Sequence, residues 1–141
     1  MALTIKRKVT LGLVIGSRAF FSGAPCRAAR EETTGWLETL GVNIVTLPFE
    51  ATVNGAVQSI DDAKLYAAHF REHRDNIDGL VICLPNFGDE IAIAELVSRA
   101  SLNVPILLQA SNDEVDKVDV HSRRDAFCGK LSVTNNFYQY G

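Results

Sequence analysis

No stretch of this chain carries the ~20 consecutive apolar residues that a membrane-crossing helix needs. No G-x-G-x-x-G occurs, and neither sign of charge dominates: 14 basic residues stand against 17 acidic ones, a net −3. Each absence excludes a class of function. Without a basic excess there is no electrostatic footprint for nucleic acid or for an anionic membrane surface. Without the glycine fingerprint, and with Gly16-x6-Gly23 lacking the Lys-Ser/Thr that closes a phosphate loop, a dinucleotide or P-loop role drops out. Cysteine is scarce as well. Cys26, Cys83 and Cys128 are odd in number and far apart, and Cys83 lies inside an apolar run, so they read as reduced thiols of a cytoplasmic protein.

The N-terminus superficially resembles a secretory leader, because Lys6-Arg7-Lys8 precedes an apolar run. That run lasts only from Val9 to Ile15, is broken by Thr10 and Gly12, and has no small-x-small cleavage site. A first buried strand, Val9 to Gly16, is the expectation.

What the chain does have is organised around Asp78 to Glu90. Leu80 to Leu84 is an uninterrupted apolar run stopped by Pro85, the pattern of a strand buried on both faces of a parallel sheet. Asn86-Phe87-Gly88 is turn chemistry, Asp89 is a helix N-cap, and an apolar-periodic segment follows to Ala100 through Ala92, Ile93, Leu96 and Val97. Upstream, Pro25 opens a helix whose stripe is Ala29, Thr33, Trp36, Leu37 and Leu40 and whose stop is Gly41. Val42 to Leu47 is a second strand ended by Pro48, and Phe49 to Gln58 is a loop. Ser59 and Asp62, at capping-box spacing, start a helix lined by Ala63, Tyr66, Ala67 and Phe70. Ile106 to Ala110 is a fourth strand. The polar segment Ser111 to Arg124 reads as surface loop, and Ser122 with Asp125 as the capped start of a last helix carrying Phe127, Leu131, Asn135 and Tyr138. Trp36, Phe137, Tyr138 and Tyr140 read as packing residues, the terminal aromatics also as a face toward another domain or subunit.

Four strands alternating with helices predict an α/β chain: a flavodoxin-like (Rossmann-like) three-layer sandwich with a parallel sheet of four or more strands, order 2-1-3-4, covered on both faces. Residues 1–141 form one such domain. A last helix with no strand after it leads us to expect the N-terminal portion of a longer polypeptide.

In such sheets ligands sit where the carboxyl ends of the strands meet. Ser17 and Arg18 follow the first strand, Asn86 to Glu90 the third, and Ser111 to Glu114 the fourth. Ser17, Arg18, Asn86, Phe87 and Asn112 are therefore the candidate ligand-binding residues. Arg18 stands out, because a guanidinium directly after a buried strand is a rigid fork of donors for hydroxyls, carboxylate or phosphate. The alternative is that it pairs with Asp89, Glu90 or Asp113 only to tie loops together. Two other constellations have structural explanations: Asp89 and Glu90 serve the helix N-terminus rather than an acid/base pair, and Cys83 is a core residue rather than a nucleophile. His69-Phe70-Arg71-Glu72-His73 matches the H-x-x-E-H string of inverted zinc proteases. Three fixed positions are weak support, and a solvent face bearing Lys64, Arg71, Glu72 and Arg74 accounts for the histidines, so no metal ligand is assigned.

Four segments carry a family resemblance: Ile15-Gly16-Ser17-Arg18, Cys83-Leu84-Pro85-Asn86-Phe87-Gly88-Asp89-Glu90, the strand end Leu107 to Glu114, and Arg123 to Ser132. In this order they resemble the N-terminal domain of the L-fucose isomerase and L-arabinose isomerase family. The resemblance implies a metal-dependent aldose-ketose isomerase whose Mn-type divalent metal site, built of carboxylates and a histidine, lies in later domains. This chain then holds no catalytic residue and no metal ligand. The first domain of that family helps build a homo-oligomer, a trimer or hexamer, and lends residues to the sugar pocket of a neighbouring subunit. An arginine after the first strand is among them, and Arg18 matches it. Where fucose isomerases place a tryptophan in the loop after the third strand, this chain has Pro85, with Phe87 nearby, a departure that bears on which sugar is bound. The competing class is a non-enzymatic sugar-binding module, half of a periplasmic-type or repressor-type ligand domain, which shares the alternating architecture.

Overall fold

The architecture was obtained as a computed structural model, which describes residues 7–141. Of the basic cluster, Lys6 lies outside the described residues. Strand β1 (Thr10–Ile15) leads to helix α1 (Ala24–Thr39), β2 (Asn43–Val45), α2 (Ile60–Glu72), β3 (Gly79–Leu84), α3 (Glu90–Ala100), β4 (Ile106–Ala110) and α4 (Ala126–Tyr140). The four strands form one sheet in the order β2-β1-β3-β4, and every pairing is parallel. The fold class and strand order are those read from the sequence.

Period-two alternation sorts the central strands into two cores. Val14, Leu80, Ile82 and Leu84 face the side covered by α2, α3 and α4, where Tyr66, Phe70, Ile93, Leu96 and Val133 are fully buried. Leu13, Ile15, Val81 and Cys83 face α1, against Cys26, Ala29 and Leu37. β3 is buried at every residue, as a strand flanked by neighbours and covered on both faces should be. No helix among the described residues is long and apolar enough to cross a membrane.

Local chemistry sets most of the element ends. Gly41, at φ +72°, ends α1 in a Schellman arrangement: the Val42 N–H donates to Leu37 and the Gly41 N–H to Glu38. Ser59 caps α2 by accepting the Asp62 N–H at 3.1 Å. Asp62 reciprocates one residue early, on the Gln58 N–H, also at 3.1 Å. Asp89 caps α3 through the Ala92 N–H at 2.8 Å.

Five expectations need correction. β2 is only Asn43–Val45, because it is the sheet edge and its end is drawn off toward Arg30, which donates to the Leu47 carbonyl. The expected loop 49–58 holds two 3-10 turns, Phe49–Ala51 and Val53–Gly55, and then returns to the sheet: Val57 bridges Gly16 in parallel and is fully buried. Its bonds, Val57 N–H to Ile15 at 2.8 Å and Ser17 N–H to Val57 at 3.0 Å, supply the pairing that β2 stops short of. The last helix does not begin with a Ser122–Asp125 cap. Ser122 donates to Asp119, and Asp125 sits in the left-handed region (φ +51°) with its N–H on Asp113, so α4 starts at Ala126. The Phe127, Leu131 and Tyr138 stripe faces outward; Ala126, Gly129 and Val133 are the buried positions, Phe137 packs at the core's margin, and the Tyr140 hydroxyl donates to Glu95 at 3.1 Å. Coverage of the sheet is also incomplete. α1 alone lies on its face, so Leu107 and Gln109 of β4 are exposed and Trp36, 66% exposed, overhangs a cleft of about 270 Å³ instead of packing.

Candidate functional site

All four strands being parallel, the segments after β1, β3 and β4 emerge on one rim. A buried anchor of that rim is Asn86, 1% exposed, whose side chain makes hydrogen bonds in four directions. Its Oδ1 accepts the Arg18 N–H and the Gly88 N–H, each at 3.1 Å. Its Nδ2 donates to the Ser17 Oγ at 2.9 Å and to the Ser22 carbonyl at 3.2 Å. One amide thereby locks the exit of β1 to the exit of β3. Gly88 completes the bend with φ +77°, a conformation open to glycine at no steric cost. Ser17 is fully buried, its oxygen held by Asn86 and its N–H by Val57.

This clamp aims Arg18 outward. The guanidinium, about a third exposed, pairs with Glu90 in the first turn of α3 and lies over the Phe87 ring with its carbon 4.6 Å from the centroid. Phe87 in turn stacks on Phe21, with centroids 6.1 Å apart and planes within 10° of parallel, and Arg123 reaches the Phe21 ring at 5.9 Å. Phe20, 64% exposed, stands edge-on against Phe21. The result is a column across the rim in which two stacked rings lie between two guanidinium groups: Arg18, Phe87, Phe21, Arg123. Cation–π contacts of this kind contribute ~0.5–1 kcal/mol each when partly exposed, so the column mainly fixes orientation. Three segments distant in sequence take part.

The structure thus brings Ser17, Arg18, Asn86 and Phe87 into one connected unit. Asn112 is exposed on the segment after β4 and shares no hydrogen bond with this unit among the described residues. Sequence reasoning missed Phe21 and Arg123. A signal for Phe21 existed in the Phe20-Phe21 pair, two aromatics in the middle of a loop otherwise made of small and polar residues. Arg123 carried no such signal, since its place depends on how the segment 111–125 folds back. That segment is tied by its own charges: Glu114 pairs with Lys117 at 2.7 Å and with Arg124 at 2.9 Å, and Asp113 accepts the Asp125 N–H at 2.9 Å. Lys117 first, and then Arg124, hold the Glu114 carboxyl below its ordinary range. Between this segment and the start of α1 lies a cleft of about 320 Å³ lined by Ser22, Pro25, Asn86, His121, Arg123 and Arg124.

The carboxylates of the rim are all engaged. Asp89 caps α3, Glu90 pairs with Arg18, and Asp113 and Glu114 hold the following segment. They do not converge on a common point as ligands of a divalent ion would, so the rim does not fit a Mn-type metal. Cys83 is buried, with its thiol pushed up to about 11 chiefly by desolvation, and donates to Gln109 at 2.8 Å. That is the state of a packing residue.

Residues 12–141 match the family described as fucose/sulfoquinovose isomerase, N-terminal domain. No curated protein and no solved structure matches the chain.

Proposed function

From the premise that the chain belongs to the N-terminal domain family of the fucose/sulfoquinovose isomerases, we propose that it is the first domain of a metal-dependent aldose-ketose isomerase and supplies the outer wall of a sugar pocket. The observation that carries this reading is the oriented Arg18, clamped through its backbone by Asn86 and through its side chain by Glu90 and Phe87. Glu90 already balances its charge, so the guanidinium's remaining N–H groups are suited to hydroxyl oxygens of a sugar rather than to a second full anion. The exposed ring of Phe20 and the half-buried ring of Phe87, both packed on the buried Phe21, offer an apolar surface for the C–H edges of the same ligand. Ser17 and Asn86 act through this geometry: both are buried, and their role is to hold Arg18 and Phe87 in place. Asn112, exposed on the same rim, is a further hydroxyl partner.

When bound, the divalent metal would polarise the carbonyl and hydroxyl oxygens of the reacting carbons. Its carboxylate and histidine ligands belong, in this reading, to later domains of the polypeptide. What this chain contributes is orientation and exclusion of water at the far end of the sugar. The pocket is completed by a neighbouring subunit of a trimer or hexamer in the cytoplasm.

The test is Arg18→Ala in the full-length enzyme, assayed with L-fucose and with sulfoquinovose. The reading expects kcat/KM to fall by about tenfold to a hundredfold, the loss of one charge-assisted hydrogen bond of ~1.5–3 kcal/mol, with metal content unchanged. Unaltered kinetics on both sugars would remove Arg18 from the pocket. Robust isomerisation by the 141-residue chain alone would overturn the division of labour.

A further inference from the structure

We propose that His69, Glu72 and His73 form a binding site for a divalent transition-metal ion of the zinc type on the last turn of α2, separate from the sugar rim. The three donor atoms already lie within 4.8 Å of one another, the one such convergence of His, Cys, Asp or Glu among the described residues. Their i, i+3, i+4 spacing puts all three on one helical face. The two imidazoles are 4.8 Å apart by centroid and inclined at 70°, so neither ring blocks the other's nitrogens by stacking. A tetrahedral ion with nitrogen and oxygen bonds of ~2.0–2.2 Å holds its donors about 3.4 Å apart.

The surroundings favour a cation. The site occupies the C-terminal end of a 13-residue helix, where the unsatisfied carbonyls are electronegative. The two nearby arginines, Arg71 within the stretch and Arg74 just after it, are turned elsewhere: Arg71 donates to the Arg99 carbonyl at 2.7 Å and Arg74 to the Ser101 carbonyl at 3.3 Å, both at the end of α3. His69 is half-buried beside Phe70, which holds one ligand in place, while Glu72 is exposed and free to swing. Neither Glu72 nor His73 spends its side chain on a hydrogen bond or ion pair among the described residues. A solvated polar face explains why these side chains are polar, and the i, i+3, i+4 spacing is what brings their donors together. Two imidazoles and a carboxylate suit a borderline ion such as Zn²⁺ and leave a fourth position for water. α2 begins near the rim, and His69 lies nine residues further, about 14 Å along the axis. The site therefore stands or falls independently of the sugar pocket.

The chain, stripped with chelator, is titrated with Zn²⁺ by calorimetry and with Co²⁺ by visible absorption. One ion per chain is expected, with Co²⁺ bands of nitrogen and oxygen coordination. His73→Ala should weaken binding by more than the about tenfold to hundredfold that losing an outer-shell partner costs, and Glu72→Gln, at an exposed position that leaves the fold intact, should weaken it measurably. His121→Ala and alkylation of Cys128 should leave the titration unchanged. Absence of saturable binding, or binding that survives both α2 variants and disappears with His121 or Cys128, overturns the proposal.

Discussion

Gly129 lies directly against the backbone of Phe87: a methyl group on its Cα would fall 1.8 Å from the Phe87 carbonyl oxygen. A glycine inside a helix ordinarily costs ~1 kcal/mol against alanine. Here it allows α4 to close onto the loop that carries the aromatic column.

Gly129→Ala is therefore expected to destabilise, although alanine is the better helix former. The obstacle is main chain, so either α4 or the 86–88 bend must shift. Overpacking costs of ~1–3 kcal/mol set the scale. A lowered urea midpoint checks it, and a midpoint that rises instead would show that α4 does not pack here.

Asn86→Ala should cost about 3 kcal/mol, because it leaves the Arg18 and Gly88 N–H groups and the Ser22 carbonyl without their side-chain partner in a site that water does not readily reach. Asn86→Asp keeps the acceptor but turns an oxygen toward the Ser22 carbonyl, so it should not restore stability. Thermal melts of the two variants compared with wild type decide this. Equal stability of Asn86→Asp and wild type would mean the Nδ2 bonds are dispensable.

Of the three thiols, only Cys128 is exposed. Burial raises the Cys83 thiol to about 11 and raises that of Cys26 as well. A thiol reagent at pH 8 should modify one cysteine in the native chain and three after denaturation. The same burial predicts a loss of stability in alkali. The unfolded thiol ionises from the ordinary value of 9.0 while the folded one stays protonated until about 11, so stability is full below pH 9 and falls between the two. Cys83→Ala should flatten that part of a stability-against-pH curve.

Trp36, the single tryptophan, should emit as a solvated indole and be readily quenched by acrylamide, since α1 alone covers its side of the sheet. A blue-shifted, shielded emission would show that another surface closes over Trp36 and Leu107.

The order 2-1-3-4 inferred from the α/β alternation is the one found; what the sequence by itself determined are the elements and where they end. Those follow from short-range chemistry: the unbroken apolar run Leu80 to Leu84, the caps at Ser59 and Asp89, and the stop at Gly41 act within a few residues of where they are written. It also placed Arg18 beside the right neighbours, because any exit from a central parallel strand must meet the exits of the strands next to it. Only the tertiary structure decided which face of α4 is buried, that Val57 returns to the sheet, that Glu90 rather than Asp89 or Asp113 takes Arg18, and that Phe21 and Arg123 complete the column. Each of those depends on contacts between segments tens of residues apart. A periodic pattern marks a stripe as apolar, but what covers it is set by the elements that arrive from elsewhere in the chain.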